Sequence, residues 1–295
     1  MKFKTILVWL SGGSGDDVAM QVAVDLAKTC SCHVEGLHVT QPLEALTPVL
    51  GEQVVTGVGN GYLETAEREA HEKLERAKAT FDSHCRRAGF PVIAPGQETG
   101  DNVPGCSWWD VSGYDGPELA VRGRTSDLII MARPDINDGG VDAETLEAAL
   151  FESARPVLVV GEKAPSISDL HILIAWDGSR EAALSTGFSI PLLQQAKHVA
   201  VLNIDQAKSN TNPEEKTGVD QLGDYLARHN VSAETKRIHG KSGEVASILL
   251  DQVSKNMTNL VIMGAYGHSQ LSEYLFGGVS RSLLSNPAIS VFMAH

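Results

Sequence analysis

The chain has 295 residues, 42% hydrophobic and 21% charged, which allows a sizeable core and excludes disorder driven by composition. At roughly 100–200 residues per domain, that length suggests two domains. Acidic residues number 37 against 24 basic ones, for a formal net charge of -13; phosphate chains need Lys and Arg to displace their counterions, so neither nucleic acid nor an anionic membrane surface is expected as a partner. A small anionic ligand stays open, because backbone N–H groups bind phosphate without Lys.

The N-terminus, Met1-Lys2-Phe3-Lys4 followed by Thr5-Ile-Leu-Val-Trp-Leu10, superficially resembles a signal peptide. The apolar run is too short, and Ser11-Gly-Gly-Ser-Gly-Asp-Asp17 stands where a small-residue cleavage site would be. A buried first strand is the better reading. The run Gly12-Gly13-Ser14-Gly15 lacks the Gly-Lys-Ser/Thr ending of a P-loop and reads as a flexible strand–helix turn. Val18 to Lys28 follows as a helix, with Asp16 or Asp17 as its N-cap. Farther on, Leu63, Ala66, Ala70, Leu74, Ala77 and Phe81 recur at three- and four-residue steps, one apolar stripe on a helix that Gly89 and Pro91 end. Trp108-Trp109 reads as two partly buried aromatics closing a loop, or alternatively as a wall of a pocket for a different ligand. Cys30, Cys32, Cys85 and Cys106 show neither redox nor zinc spacing. Reduced thiols, no apolar run near the ~20 residues of a membrane span, and no leader together predict a cytoplasmic protein.

Three strand-like runs occur twice. Ile6-Leu7-Val8 matches Ile172-Leu173-Ile174, Asp127–Met131 matches Asn259–Met263, and Pro156–Val160 matches Ala288–Phe292. All are continuous apolar runs, as buried parallel strands require. The offset is 166 from Ile6 to Ile172 but 132 from Asp127 to Asn259, so the first half carries 34 extra residues. The Gly- and Pro-rich stretches Gln41–Gly61 and Ala94–Pro117 are where they are expected. Gly161–Asp169, with Pro165 and two serines, reads as the joint between copies, giving domains 1–162 and 168–295. In the second half, the order is a helix from Gly178-Ser179 to about Gln195, a strand at His198–Ile204, and a helix from Pro213 to about His229. A strand at Val231–Ile238, a helix at Gly243–Ser254, a strand at Asn259–Gly264, a helix at Gly277–Leu284 and a strand at Ala288–Met293 complete it. Strands alternating with helices predict an α/β class: two similar doubly wound domains, each with a five-stranded parallel sheet. Ligands in such sheets sit beyond the carboxyl ends of the strands, at the switch point.

One loop after such a strand stands out: Val261-Ile-Met-Gly264-Ala-Tyr-Gly267-His268, continuing to Gly277-Gly278-Val279-Ser280. Gly264 and Gly267 let the backbone approach a ligand closely and adopt positive φ. Gly277, Gly278 and Ser280 open a helix, where free N–H groups and the dipole favour an anion such as phosphate. His268 could face that phosphate, although a solvent-exposed loop histidine is the simpler reading.

At this spacing the sequence resembles the universal stress protein family, whose ATP-binding members carry Gly, two residues, Gly, nine residues, then Gly followed by Ser, Thr or Asn. Gly264, Gly267 and Gly277 match that spacing, and Gly278 departs from it, removing one side-chain bond to phosphate. The resemblance implies an adenine nucleotide alpha hydrolase-like fold. It also implies an acidic residue near adenine and ribose, which Asp177 in Ala175-Trp176-Asp177-Gly178-Ser179 fits, with a turn or N-cap role as the alternative. Ile204, ending the second strand, is the expected backbone contact to adenine. The implied cofactor-binding set is Ala175, Asp177, Ile204, Gly264, Gly267, His268, Gly277, Gly278, Val279 and Ser280, holding ATP with or without Mg²⁺.

The first half departs where it matters. Ser11 stands where Asp177 does, and Ala132-Arg133-Pro134-Asp135 replaces the glycines. It is expected to bind no ATP in the family's manner. The resemblance also implies antiparallel pairing of last strands, here internal, Pro156–Val160 with Ala288–Phe292, so that the chain is its own pseudo-dimer; a homodimer is the alternative. The function expected is ATP binding in stress response or regulation, with hydrolysis slow or absent. A non-catalytic scaffold or carrier of another small ligand is the rival. No Ser–His–Asp arrangement, general base or Mg²⁺ ligand set is evident in the sequence.

Overall fold

A computed structural model describes residues 2–42, 60–97, 103–133, 142–205, 218–265 and 278–295. Two units separate by their internal contacts, Lys4–Ser153 and Ala154–His295, the latter joined by the residues up to Phe3.

The first unit runs β1 (Thr5–Trp9), α1 (Asp16–Cys30), β2 (His33–Thr40), α2 (Asn60–Ala88), β3 (Cys106–Ser112), α3 (Asp115–Gly123), β4 (Leu128–Ala132) and α4 (Ala143–Glu152). Its strands lie in the order β3-β2-β1-β4, all parallel. Ile6, Leu7 and Val8 of β1 are wholly buried, as a central strand covered on both faces requires. The α2 stripe is half-buried at Leu63 and Ala66 and fully buried at Ala77 and Phe81. Gly36 of β2 admits this helix: a Cβ there would lie 2.5 Å from the Phe81 ring, which itself meets Trp108 at 5.2 Å between centroids.

Three expectations need correction here. Trp108 and Trp109 close no loop; they are strand residues of β3, opposite Gly36 and Leu37 of β2. The extra residues do not lie in the two loops alone, because the helix between them is itself longer than its counterpart, 29 residues against 11. His33 to His198 is an offset of 165 and Cys106 to Glu234 one of 128, so the excess lies between β2 and β3, where α2 has 29 residues. Neither Asp16 nor Asp17 caps α1: the N-cap is Gly15, and Asp16 lies inside the first turn with its carboxylate bent back onto the preceding turn.

The second unit begins with β5 (Val157–Val160) and β6 (His171–Ala175). It continues with α5 (Arg180–Phe188), α6 (Ile190–Leu193), β7 (His198–Asp205), α7 (Gly218–Arg228), β8 (Glu234–His239), α8 (Val245–Lys255), β9 (Leu260–Gly264), α9 (Gly278–Leu284) and β10 (Ser290–Ala294). The strand order is β5-β10-β9-β6-β7-β8. Every pairing is parallel except β5 with β10, which is antiparallel, placing Val159 opposite Val291 and Leu158 opposite Phe292. The expected internal pairing of last strands is therefore present. Those ladder bonds group β5 with the second unit, ahead of the break anticipated at Gly161–Asp169. The helix expected from Gly178 to Gln195 is two helices, restarting at Ile190 with Pro191 in its first turn. Among the described residues no helix is long and apolar enough to cross a membrane.

Candidate functional site

In the second unit, β6 and β9 lie side by side, Ile172 opposite Leu260 and Ile174 opposite Ile262. The chain leaves β6 toward β7 on one side and reaches β9 on the other, so their carboxyl ends frame the switch point of the sheet. Ala175 is the last residue of β6 and is half-buried. Beyond it the Trp176 N–H donates to the Leu202 carbonyl at 2.8 Å, and the Asn203 side-chain amide donates to the Trp176 carbonyl at 2.8 Å. These two bonds hold the strand exit against β7. Sequence reasoning overlooked Asn203, although an amide side chain beside Ile204 in an otherwise apolar strand was a visible signal.

The next residues form a tight, exposed turn. Asp177 is exposed, and its Oδ1 accepts the Ser179 N–H at 2.9 Å. Gly178 has φ +79°, a region that favours glycine, with open space where a Cβ would stand. Ser179 is the true N-cap of α5, accepting the Ala182 N–H at 3.1 Å through its hydroxyl. Asp177 thus has the turn role that its sequence context allowed, and it leaves the capping to Ser179.

On the facing strand, Gly264 ends β9 without a positive φ. A Cβ there would lie 2.6 Å from the Ala182 nitrogen and 2.8 Å from the Glu181 carbonyl carbon. The glycine is required because the first turn of α5 sits directly on the strand end. The sequence suggested a glycine for close ligand approach and positive φ; the positive φ is absent, and the group close to Gly264 is the protein's own backbone. Ala265 is fully buried, and its N–H donates to the Ala294 carbonyl at 2.9 Å. His295 Nδ1 meets the Ala265 carbonyl at 3.0 Å.

Across the crevice, α9 opens at Gly278, which is exposed; a Cβ there would find no neighbour within 4 Å. Val279 is half-buried and Ser280 is 7% exposed. Ile204 is half-buried in β7, paired with Ile238 of β8. Gly267, His268 and Gly277 lie outside the described residues. Beside the Asp177 turn is a groove of about 450 Å³ that includes Trp176, Gly178, Thr186, Gln221 and Tyr225, but neither Gly264 nor Gly278. Among the described residues no cluster of His, Cys, Asp or Glu could hold a metal ion.

Residues 162–295 match the universal stress protein family. That stretch is a universal stress protein domain. Solved structures carry the likeness of fold across the chain. A universal stress protein from Archaeoglobus fulgidus DSM 4304 covers 98% of this chain and 95% of its own, at 13% identity and a TM-score of 0.66. A functionally unknown protein from Pseudomonas aeruginosa PAO1 covers 98% and 92%, at 14% identity and a TM-score of 0.55. At such identities the likeness concerns fold alone. No curated protein matches the chain by sequence. The universal stress protein domain therefore coincides with the unit that holds the glycine-spaced loop, and the first unit shares its strand order.

Proposed function

We propose that the universal stress protein domain of this chain binds an adenine nucleotide, ATP with or without Mg²⁺, in the crevice beyond β6 and β9, as part of a stress-response or regulatory role. The carrying observation is the Gly264, Gly267, Gly277 spacing, which begins at the carboxyl end of β9, beside the switch point, in a domain of that family. Small or absent side chains at Ala175, Gly178 and Gly278 are consistent with a ligand approaching the backbone closely. Asp177 is exposed at the exit of β6, within reach of a ribose hydroxyl in this reading. A surface of net charge -13 makes backbone amides, not cations, the natural partners of phosphate. Hydrolysis is slow or absent on this reading.

One observation favours the rival, a carrier or scaffold without ATP. The first amide past Gly264, that of Ala265, already donates to Ala294, so any phosphate must be held by amides farther along the loop. Equilibrium dialysis against labelled ATP separates the two. Saturable binding that Gly267→Asp removes supports the nucleotide in this loop; equal binding by both proteins removes the loop from the site, and no binding by either supports the rival.

A further inference from the structure

The first unit holds a buried charge that the proposed nucleotide site does not use. Asp16 is 1% exposed. Its Oδ1 accepts the Ser11 N–H at 3.1 Å and the Ser11 hydroxyl at 3.3 Å, while Oδ2 accepts the Gly12 N–H at 2.8 Å. The Ser11 hydroxyl oxygen accepts the Gly13 N–H at 3.2 Å. Three consecutive amides of a Gly-rich strand–helix turn therefore converge on one carboxylate, directly or through a single hydroxyl. Arrays of successive amides are anion-binding concavities; here the anion belongs to the chain.

The turn it holds is itself fastened to α2. Gly12 has φ +81°, and a Cβ there would lie 2.5 Å from the Lys73 carbonyl oxygen. Arg76 Nε donates to the Gly12 carbonyl at 2.9 Å. From β4, Ala132 meets Gly15 across a gap too small for a side chain, and Arg133 follows it. On β2, His38 Nδ1–H donates to the Leu10 carbonyl at 2.6 Å, and burial holds that imidazole below its usual pKa. Asp17 is largely exposed and pairs outward with His84 at 2.7 Å and Arg87 at 3.8 Å.

Burial and hydrogen bonding pull the Asp16 carboxyl in opposite directions. Burial is the larger effect and raises it; the Gly12 and Ser11 amides, the Ser11 hydroxyl and the Arg76 charge lower it, leaving it at about 6. A proton arriving at Asp16 relieves a buried charge but weakens the bonds that hold the turn, since amide bonds to a carboxylate are stronger than those to a neutral acid.

We propose that Asp16 is a proton-operated latch: the carboxylate clamps the Ser11–Gly13 turn against α2, and protonation loosens that turn while the carboxyl group stays buried and the rest of the unit stays folded.

The test is amide hydrogen exchange on the full chain by NMR, at about pH 7.5 and about pH 5, either side of the midpoint of about 6. Rates are expressed as protection factors, which removes the intrinsic pH dependence of exchange. Protection at Ser11 and Gly12 is expected to fall about tenfold between the two conditions, the change when a charge-assisted bond becomes neutral. Leu10, whose N–H donates to the Leu37 carbonyl, should hold its protection. Asp16→Asn should show the lower value at both pH values. Unchanged protection in the native chain overturns the latch, as does a pH dependence that survives in Asp16→Asn, which would assign the effect to His38 or His84. If the variant does not fold, the carboxyl carbon shift of Asp16 in the native chain decides: a midpoint near 6 supports the latch, and titration entirely in the ordinary carboxylate range overturns it.

Discussion

The two units carry the same core strand order, β3-β2-β1-β4 and β8-β7-β6-β9, yet they finish the carboxyl ends of those strands in opposite ways. At the end of β1 stands Trp9, 2% exposed; at the matching end of β6 stands Ala175. The turn after β1 is clamped by Asp16 and pressed onto α2, whereas the turn after β6 is exposed and Gly178 has open space around it. Even the tight contact between the first helix and the neighbouring strand end is inverted. In the first unit the glycine is on the helix side, Gly15, facing Ala132; in the second it is on the strand side, Gly264, facing Glu181 and Ala182. One backbone topology thus supports a turn clamped onto a helix and an exposed turn, and the difference rests on a few residues at strand ends.

Transplanting those residues is the sharpest way to break the comparison. Ala175→Trp brings the first unit's residue into the second, and ATP affinity is expected to drop by roughly a hundredfold or more as a large side chain enters the crevice; isothermal titration reads it, and unchanged affinity would remove Ala175 from the site. Next in size is the Asp16 charge. Its folded pKa of about 6 lies above the ordinary aspartate value of 3.8, so the folded chain binds this proton more tightly than the unfolded one. Stability from this group is therefore greatest below about pH 4 and declines as pH rises to about 6, by an amount on the order of 3 kcal/mol. Urea unfolding of Asp16→Asn across that window should lack this part of the slope, while the local turn behaves in the opposite sense.

Gly264→Ala, which copies Ala132, should destabilise the second unit by about 1–3 kcal/mol, because the new methyl group meets backbone that cannot swing aside. Chemical denaturation measures it, and a neutral result would mean that α5 shifts freely on β9. The smallest effect is expected for Ser179→Ala, where loss of the α5 N-cap should destabilise by about 1 kcal/mol in the same assay.

How much of this was legible in the sequence follows from burial. β1, β4, β6, β9 and β10 are apolar runs covered on both faces, and each was readable as a strand. β3 escaped notice because Cys106–Ser112 is an edge strand in its unit, with polar residues flanking its tryptophans. β8, exposed along nearly its whole length, begins at Glu234, later than the apolar Val231 suggested. The glycines of the candidate loop were readable by spacing, but the reason for Gly264 was not, because a contact with the backbone of α5 leaves no local mark. Asp16 presented the same difficulty: an acidic residue at a helix start reads as a cap, and only tertiary burial turns its carboxylate back onto Ser11 and Gly12.

Stoichiometry tests the central claim most directly. Titrating the intact chain with ATP in a calorimeter should give saturable heat corresponding to one nucleotide per chain, because only the second unit carries the glycine spacing, while the turn after β1 in the first is clamped by Asp16. Two equivalent sites per chain, or no saturable heat at all, would contradict it.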